Sequence, residues 1–168
     1  EGERRLIIPD GVTEIGDYAF YYCTFTYDDR TTGEKVPGGI TSLVLGDGVI
    51  RVGAQAFAGI GTLKSVTFGA SVQTVEEKAF YKCTSLRTLE MNEGLRIVGT
   101  RAFARCEALE SIILPATLTD VGPYAFYRCK GVKSISLGGT VRVGDSAFLG
   151  LSAVTELKIP ATLNTIGK

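Results

Sequence analysis

Four cysteines are the side chains best suited to nucleophilic, redox or metal chemistry in this chain of 168 residues, which contains no histidine. A thiolate is a nucleophile, a soft metal ligand and a disulfide partner. The cysteines are Cys23, Cys83, Cys106 and Cys129, and each lies three residues after a phenylalanine. The last three are separated by 23 residues, a spacing that fits no zinc-binding pattern.

The residues that replace cysteine in other copies of this motif indicate what the position requires. Ile60 and Leu151 stand there instead. Because a position that accepts Cys, Ile or Leu is apolar, and a thiol behaves as a small hydrophobe, we predict a reduced and unreactive column of cysteines in the core. A disulfide between adjacent copies is an alternative, and it needs Cα atoms about 4.4–6.8 Å apart. A metal site is the weaker alternative.

The elements that position these cysteines are copies of one repeat. Ala-Phe pairs end at residues 20, 57, 80, 103, 126 and 148, so their spacings are 37, 23, 23, 23 and 22. A fixed period of this length is typical of a solenoid, in which each unit buries its apolar face against its neighbours. We predict about six and a half units of about 23 residues, forming a single domain over residues 1–168.

Each unit contains two extended segments and a turn. Segments such as Ser42–Gly46, SLVLG, alternate in polarity and predict one short strand per unit in a parallel ladder. A second extended piece follows, and the glycine after it suggests a bend with positive φ. The Ala-Phe pair is expected in a tight turn or a short helical piece, with the phenylalanines stacked as a spine. The column Arg5, Ser42, Ser65, Thr88, Ser111, Ser134, Glu156 predicts a solvated sheet face.

The unit from Leu109 to Cys129, LESIILPATLTDVGPYAFYRC, resembles the BspA-like leucine-rich repeats, also called the Treponema pallidum type. The resemblance covers nearly the whole chain and implies a mainly β leucine-rich-repeat solenoid with parallel strands and short turn or helical segments. It also implies a secreted or cell-surface protein, since family members with a known role adhere to host proteins or other cells. The family has no common catalytic residues. Because the sequence begins and ends within a repeat unit, we expect a fragment of a longer surface protein.

The repeat is interrupted once, by an insertion of fourteen residues at 25–38. Its alternating start, TFTYDD, predicts a hairpin with Thr31–Gly33 near the turn. Insertions in solenoids often mark the binding face, so partner contacts are expected from Phe25, Tyr27, Asp28, Asp29 and Arg30. The plainer alternative is a tolerated surface loop. A calcium site at the paired aspartates is a weak alternative, because no EF-hand pattern surrounds them.

Tyrosine and basic residues flank the Ala-Phe pairs. They precede the pair at 18, 78, 101 and 124, and they follow it at Tyr21, Tyr81, Lys82, Arg105, Tyr127 and Arg128. Tyr and Arg are enriched at interfaces, so the six following residues are candidate partner contacts. Alternatively, the tyrosines cover the phenylalanine spine while their hydroxyls reach water.

Composition narrows the class of function. Lys and Arg together number 18 and Asp and Glu number 18, which argues against a nucleic-acid partner. No apolar run approaches the roughly 18 residues of a membrane helix, and no motif indicates a cofactor, a metal or catalysis. We predict a non-enzymatic adhesion module, extracellular or on the cell surface, that binds a host or neighbouring-cell protein or glycan. The alternative is a passive spacer that presents other domains. The sequence shows no polar capping unit at the C-terminal end, so end-to-end self-association is the alternative to a fragment of a longer protein.

Overall fold

The computed structural model describes residues 3–23, 26–28, 35–37 and 39–168 of the chain. In this part the chain is a parallel-strand solenoid built from two rows of short strands, numbered β1 to β16 in chain order. The first row contains β1 (Arg5–Ile8), β5 (Ser42–Leu45), β7 (Ser65–Thr67), β9 (Thr88–Glu90), β11 (Ser111–Ile113), β13 (Ser134–Ser136) and β15 (Glu156–Lys158). The second contains β2 (Glu14–Ile15), β6 (Arg51–Val52), β8 (Thr74–Val75), β10 (Ile97–Val98), β12 (Asp120–Val121), β14 (Arg142–Val143) and β16 (Thr165–Ile166).

The first row has the register that the repeat predicts. Ser42 pairs with Arg5 on one side and with Ser65 on the other, and the Ser65 hydroxyl lies 3.1 Å from that of Ser42. The ladder is interrupted between β9 and β11, so this row consists of a four-stranded and a three-stranded sheet. The predicted Ser/Thr column lies on one face of this row and is mostly partly or fully exposed, but Ser42 is buried at 8% exposure, so the face is not solvated throughout.

The second row is a continuous seven-stranded parallel sheet, and the glycines that follow its strands have a different role from the predicted one. None of Gly53, Gly99, Gly122 and Gly144 has a positive φ, so the expected bend is wrong. A Cβ on Gly122 would lie 2.8 Å from the carbonyl carbon of Gly99 and 2.8 Å from the nitrogen of Thr100. Glycine is preferred here because the backbone of the preceding unit comes too close for a side chain.

The Ala-Phe segments are turns, and the described residues contain no helix, so the helical alternative is wrong. The phenylalanine spine is confirmed. Six rings stack with centroid separations between 5.1 and 5.7 Å and interplanar angles of 9° or less: Phe20, Phe57, Phe80, Phe103, Phe126 and Phe148. The four inner rings are fully buried. This stack fixes the orientation of every turn relative to the next.

The two ends of the solenoid differ in exposure. Ile15 is 4% exposed in the first unit, whereas its equivalent Ile166 is 65% exposed in the last. Leu157 and Ile159 are also more than half exposed. Their equivalents in most inner units are buried, because the following unit covers them.

Candidate binding surface

The turn face is the surface formed by three residues of each Ala-Phe turn. They lie two positions before the phenylalanine, one position after it and two positions after it. These positions form three columns along the solenoid. They are Tyr18, Gln55, Lys78, Arg101, Tyr124 and Ser146; then Tyr21, Ala58, Tyr81, Ala104, Tyr127 and Leu149; then Tyr22, Gly59, Lys82, Arg105, Arg128 and Gly150. The turn face carries six of the seven tyrosines of the chain.

Backbone conformation makes the first and third columns unusual. Ten non-glycine residues in these columns have φ between 47° and 63°, the left-handed region. Each such turn is held to the next by its backbone: the Lys78 N–H donates to the carbonyl of Thr100 at 2.9 Å, and the Lys82 N–H donates to that of Ala104 at 2.9 Å. Left-handed backbone therefore points every second N–H along the solenoid axis, which joins the turns into a third ladder.

This conformation makes the residue types informative. A left-handed residue other than glycine or asparagine costs roughly 1–2 kcal/mol, yet eight of the twelve residues in these two columns are Tyr, Lys or Arg. Glycine occurs only where a side chain of the preceding unit covers it. The ring of Tyr22 lies 2.7 Å from the position of a Cβ on Gly59, and Cγ of Arg128 lies 3.2 Å from that of Gly150. Because Tyr, Lys and Arg occupy a backbone conformation that costs them free energy, a functional role for their side chains is favoured.

Aromatic rings and cations contact one another across the columns. The Tyr124 and Tyr127 rings meet edge to face at 5.8 Å. The guanidinium of Arg101 lies 4.9 Å from the Tyr124 ring centroid, and that of Arg128 lies 5.1 Å from the Tyr127 centroid. A cation over an aromatic face at such distances is attracted by about 0.5–1 kcal/mol at an exposed site. These contacts hold the basic groups against the rings and keep them at the surface.

Charge is segregated on the turn face. Its three columns contain five Lys and Arg residues and no Asp or Glu, so with a net charge of zero for the chain the remaining residues carry a formal −5. Lys78 pairs with the flanking Glu77 at 2.7 Å. No carboxylate in the described part of the chain lies within ion-pair distance of the other four: Lys82, Arg101, Arg105 and Arg128.

Three of these cations are in register in consecutive units. The backbone ladder stacks Lys82, Arg105 and Arg128, with units about 4.8 Å apart. Two unit charges at about 5 Å repel by roughly 0.8 kcal/mol in water and by more beside a protein surface. The cationic groups of Lys82 and Arg128 lie over the rings of Tyr81 and Tyr127, 5.3 and 5.1 Å from the ring centroids, and these attractive contacts partly offset the repulsion.

The structure brings together six of the residues that the sequence nominated: Tyr21, Tyr81, Lys82, Arg105, Tyr127 and Arg128 all belong to the turn face. Tyr124 and Arg101 were not among those nominations, although they contact the same cluster. Both lie two residues before a repeat phenylalanine, and that position in the repeat is the sequence signal from which they could have been predicted as contacts.

The nominated residues of the insert do not join a described site. Two antiparallel strands, β3 (Thr26–Asp28) and β4 (Lys35–Pro37), form the expected hairpin, with Tyr27 opposite Val36 and Asp28 opposite Lys35. Phe25, Asp29 and Arg30 lie outside the described residues. In the sequence the insert begins three residues after Tyr22, the last turn-face residue of the first unit.

Three of the four cysteines form the predicted column in the interior, whereas Cys23 is only partly buried. All four belong to the described residues, and none forms a disulfide. Cys83, Cys106 and Cys129 are fully buried. Each thiol donates to the backbone carbonyl of the phenylalanine 26 residues earlier in the sequence, at 3.2–3.3 Å. Burial raises the pKa of Cys83 and of Cys129 to about 12 and that of Cys106 well above its ordinary value. These three thiols are therefore protonated and unreactive at neutral pH.

The described residues lack the features of a metal site and of a membrane-spanning helix. No three Cys, Asp or Glu side chains lie close enough together to hold a metal ion there. The same part of the chain contains no helix with the length and apolar character that crossing a membrane requires. The Gly-Asp pairs are turn chemistry, as expected: the Asp47 carboxylate accepts from the Ala70 N–H at 2.8 Å, and Asp145 accepts from the Lys168 N–H at 3.0 Å.

Comparison with known proteins agrees with this architecture. The fold and its regular columns define a leucine-rich-repeat solenoid. The profile of the BspA type leucine rich repeat region matches six copies over residues 4–29 and 50–168, so the chain belongs to this family. Proteins with such repeats are typically protein-binding and generally non-enzymatic. A search of curated proteins finds no match to the chain.

Three solved structures share the fold. A leucine-rich repeat protein of T. pallidum is 23% identical with a TM-score of 0.83, and the match covers 98% of this chain and 73% of that one. A leucine-rich repeat protein of Bacteroides ovatus is 27% identical (TM-score 0.80; 98% of this chain and 42% of that one). A leucine rich cell surface protein of Faecalibacterium prausnitzii is 23% identical (TM-score 0.70; 98% and 48%). The chain thus spans less than half of the latter two proteins.

Proposed function

We propose that this chain is a non-enzymatic recognition module, secreted or displayed on a cell surface, that adheres to a host or neighbouring-cell partner through its turn face. One observation carries the proposal: six tyrosines and five basic residues are gathered on one face with no acidic residue among them. Eight of these eleven side chains extend from strained backbone that glycine would adopt at lower cost. The surface location is supported by the similar protein of F. prausnitzii, which is described as a cell surface protein.

The geometry suits recognition through side chains. Backbone N–H groups of the turn face are used between units, so an added strand has no sheet edge to join there. Tyr18, Tyr21 and Tyr22 are each about half exposed, at 56%, 46% and 48%, and they form an aromatic cluster next to the insert. Tyrosines supply large contact area with a polar group at the tip, which is typical of adhesive interfaces.

The test is binding of the purified chain to immobilised matrix proteins and mucins, followed by interferometry. Two variants assign the surface: Tyr81→Ser with Tyr127→Ser on the turn face, and deletion of 25–38 in the insert. A control, Ile7→Ser with Ile113→Ser, removes exposed apolar side chains from the first strand row, where these residues are 58% and 66% exposed.

Loss of binding in the turn-face variant alone supports the proposal. Loss in the deletion variant alone moves recognition to the insert and its nominated residues. Absence of any partner, with all variants folded by circular dichroism, overturns the adhesive role and leaves the spacer. That second candidate is favoured by the continuous seven-stranded sheet and the stacked spine, which make the solenoid a stiff rod.

A further partner proposed for this chain is a second copy, bound end to end through the exposed Leu157, Ile159 and Ile166. Sedimentation velocity at increasing concentration tests it, with Ile166→Lys as the variant expected to stay monomeric. A monomer at every concentration contradicts it.

A further inference from the structure

We infer that the turn face binds an acidic polysaccharide, a linear glycan that carries sulfate or carboxylate groups along its length. This inference rests on the proposed function and names the chemistry of the partner. It follows from the charge of the surface, from the spacing of its cations and from the role of its tyrosines.

The first argument is charge. Lys82, Arg105 and Arg128 repel one another in register, and Arg101 lies beside them; no carboxylate of the described residues is paired with any of the four. Elsewhere the solenoid pairs cations across units: Arg51 lies 2.9 Å from Asp17, and Lys130 lies 3.6 Å from Glu107. A row of like charges is stabilised by an anionic ligand that spans several units, because every rung then gains an opposite charge.

The second argument is spacing. The cations of the third column recur once per unit, about 4.8 Å apart. An extended peptide places side chains on one face about 6.8 Å apart, so acidic residues in a strand fall out of step with this column after two rungs. A linear glycan with sulfate or carboxylate groups on most of its sugar units lacks the fixed step of about 6.8 Å of a strand, so it can present anions to successive rungs.

The third argument concerns the rings. Tyr81 and Tyr127 each hold a cation of the same unit against the ring, and Tyr124 holds Arg101 of the preceding unit. These contacts orient the basic groups before a ligand arrives and lower the conformational entropy that binding removes. Phenol hydroxyls both donate and accept hydrogen bonds, and Tyr81, Tyr124 and Tyr127 are partly exposed beside the cations, which suits a partner rich in hydroxyl groups.

The experiment measures binding of a fluorescent, size-defined heparin oligosaccharide to the whole chain by anisotropy. The variant is Lys82→Gln with Arg105→Gln and Arg128→Gln; glutamine fits this backbone because Gln55 already has φ of 55° in the first column. The matched control is Lys64→Gln with Arg96→Gln and Lys133→Gln, three exposed cations outside the turn face. Both variants lower the net charge by three.

We expect the turn-face variant to bind heparin about tenfold more weakly or worse, with a flatter salt dependence, and the control to bind within a factor of three of the parent. Equal losses in both variants, or none in either, overturn the inference. Poly-glutamate or a single-stranded DNA oligomer binding as tightly as heparin overturns it in favour of an acidic peptide or a nucleic acid. Absence of heparin binding while a matrix protein still binds the turn face refutes the glycan and leaves the proposed function standing.

Discussion

Substitution of alanine for the glycine after the second strand should have opposite effects in the first unit and in an inner unit. Gly16 and Gly122 occupy the same position of the repeat, and neither has a positive φ. A Cβ on Gly16 meets nothing within 4 Å, because no described backbone lies against it. A Cβ on Gly122 meets the backbone of Gly99 and Thr100 at 2.8 Å.

The magnitude follows from two effects. Alanine reduces the entropy of the unfolded chain, which stabilises the native state by about 0.4–1 kcal/mol where the backbone is compatible. At Gly122 the contact must lengthen from 2.8 to about 3.4 Å, so neighbouring units must shift by about 0.6 Å. Such overpacking costs about 1–3 kcal/mol. Glu76 occupies the same position in the third unit, so the solenoid accommodates a Cβ there by adjustment and keeps its fold.

The assay is urea denaturation followed by far-ultraviolet circular dichroism and by tyrosine fluorescence, which reports on the turn face. We expect Gly16→Ala to raise the free energy of unfolding by about 0.4–1 kcal/mol. We expect Gly122→Ala to be less stable than Gly16→Ala by about 1–3 kcal/mol, because the entropic effect cancels in the difference. Equal destabilisation by both substitutions would refute this reasoning and restore the bend with positive φ that the sequence suggested.

Three further outcomes are expected. Phe103→Ala removes a fully buried ring stacked on both faces and should lower the free energy of unfolding by about 3–5 kcal/mol. Phe148→Ala, at the half-buried end of the spine, should lower it by clearly less. Equal losses of both variants in urea denaturation would contradict the stack. Only Cys23, which is half-buried, should react rapidly with an aromatic disulfide reagent in the native protein, since Cys106 and its two buried neighbours are protonated; rapid reaction of more than one thiol would show the ladder to be open. The Ala54 N–H and the Arg51 side chain lower the pKa of Asp17 below its ordinary 3.8, so its contribution is present above that pH and lost as the pH falls through the lowered value. Asp17→Asn should therefore lose less stability than the parent on acidification from pH 5 to pH 2, and an unchanged pH dependence would count against this carboxylate.

The sequence alone determined which residues stack on which. A period of 23 residues places Phe80 on Phe103 and Ser42 on Ser65 whatever the detailed path of the chain, because in a solenoid each position meets its copy in the next unit. The same logic placed Cys106 in the interior, since its column also holds isoleucine and leucine. The Tyr and basic residues of the turn face were visible in the same way as columns of the repeat.

The tertiary structure decided what those columns do. The left-handed backbone of Lys78 and Lys82 depends on hydrogen bonds to the next unit, which no local pattern encodes, and that pairing replaced the predicted helical piece. Gly122 has an ordinary φ, and glycine is favoured there because the backbone of the preceding unit lies close. The residue type alone does not distinguish this cause from a positive φ. Charge segregation also required the fold. Acidic and basic residues are equal in number, and the stacking of turns places Lys82, Arg105 and Arg128 in one row, where none forms an ion pair with a described carboxylate. Local composition averages over the chain, whereas an interface depends on which side chains share a face.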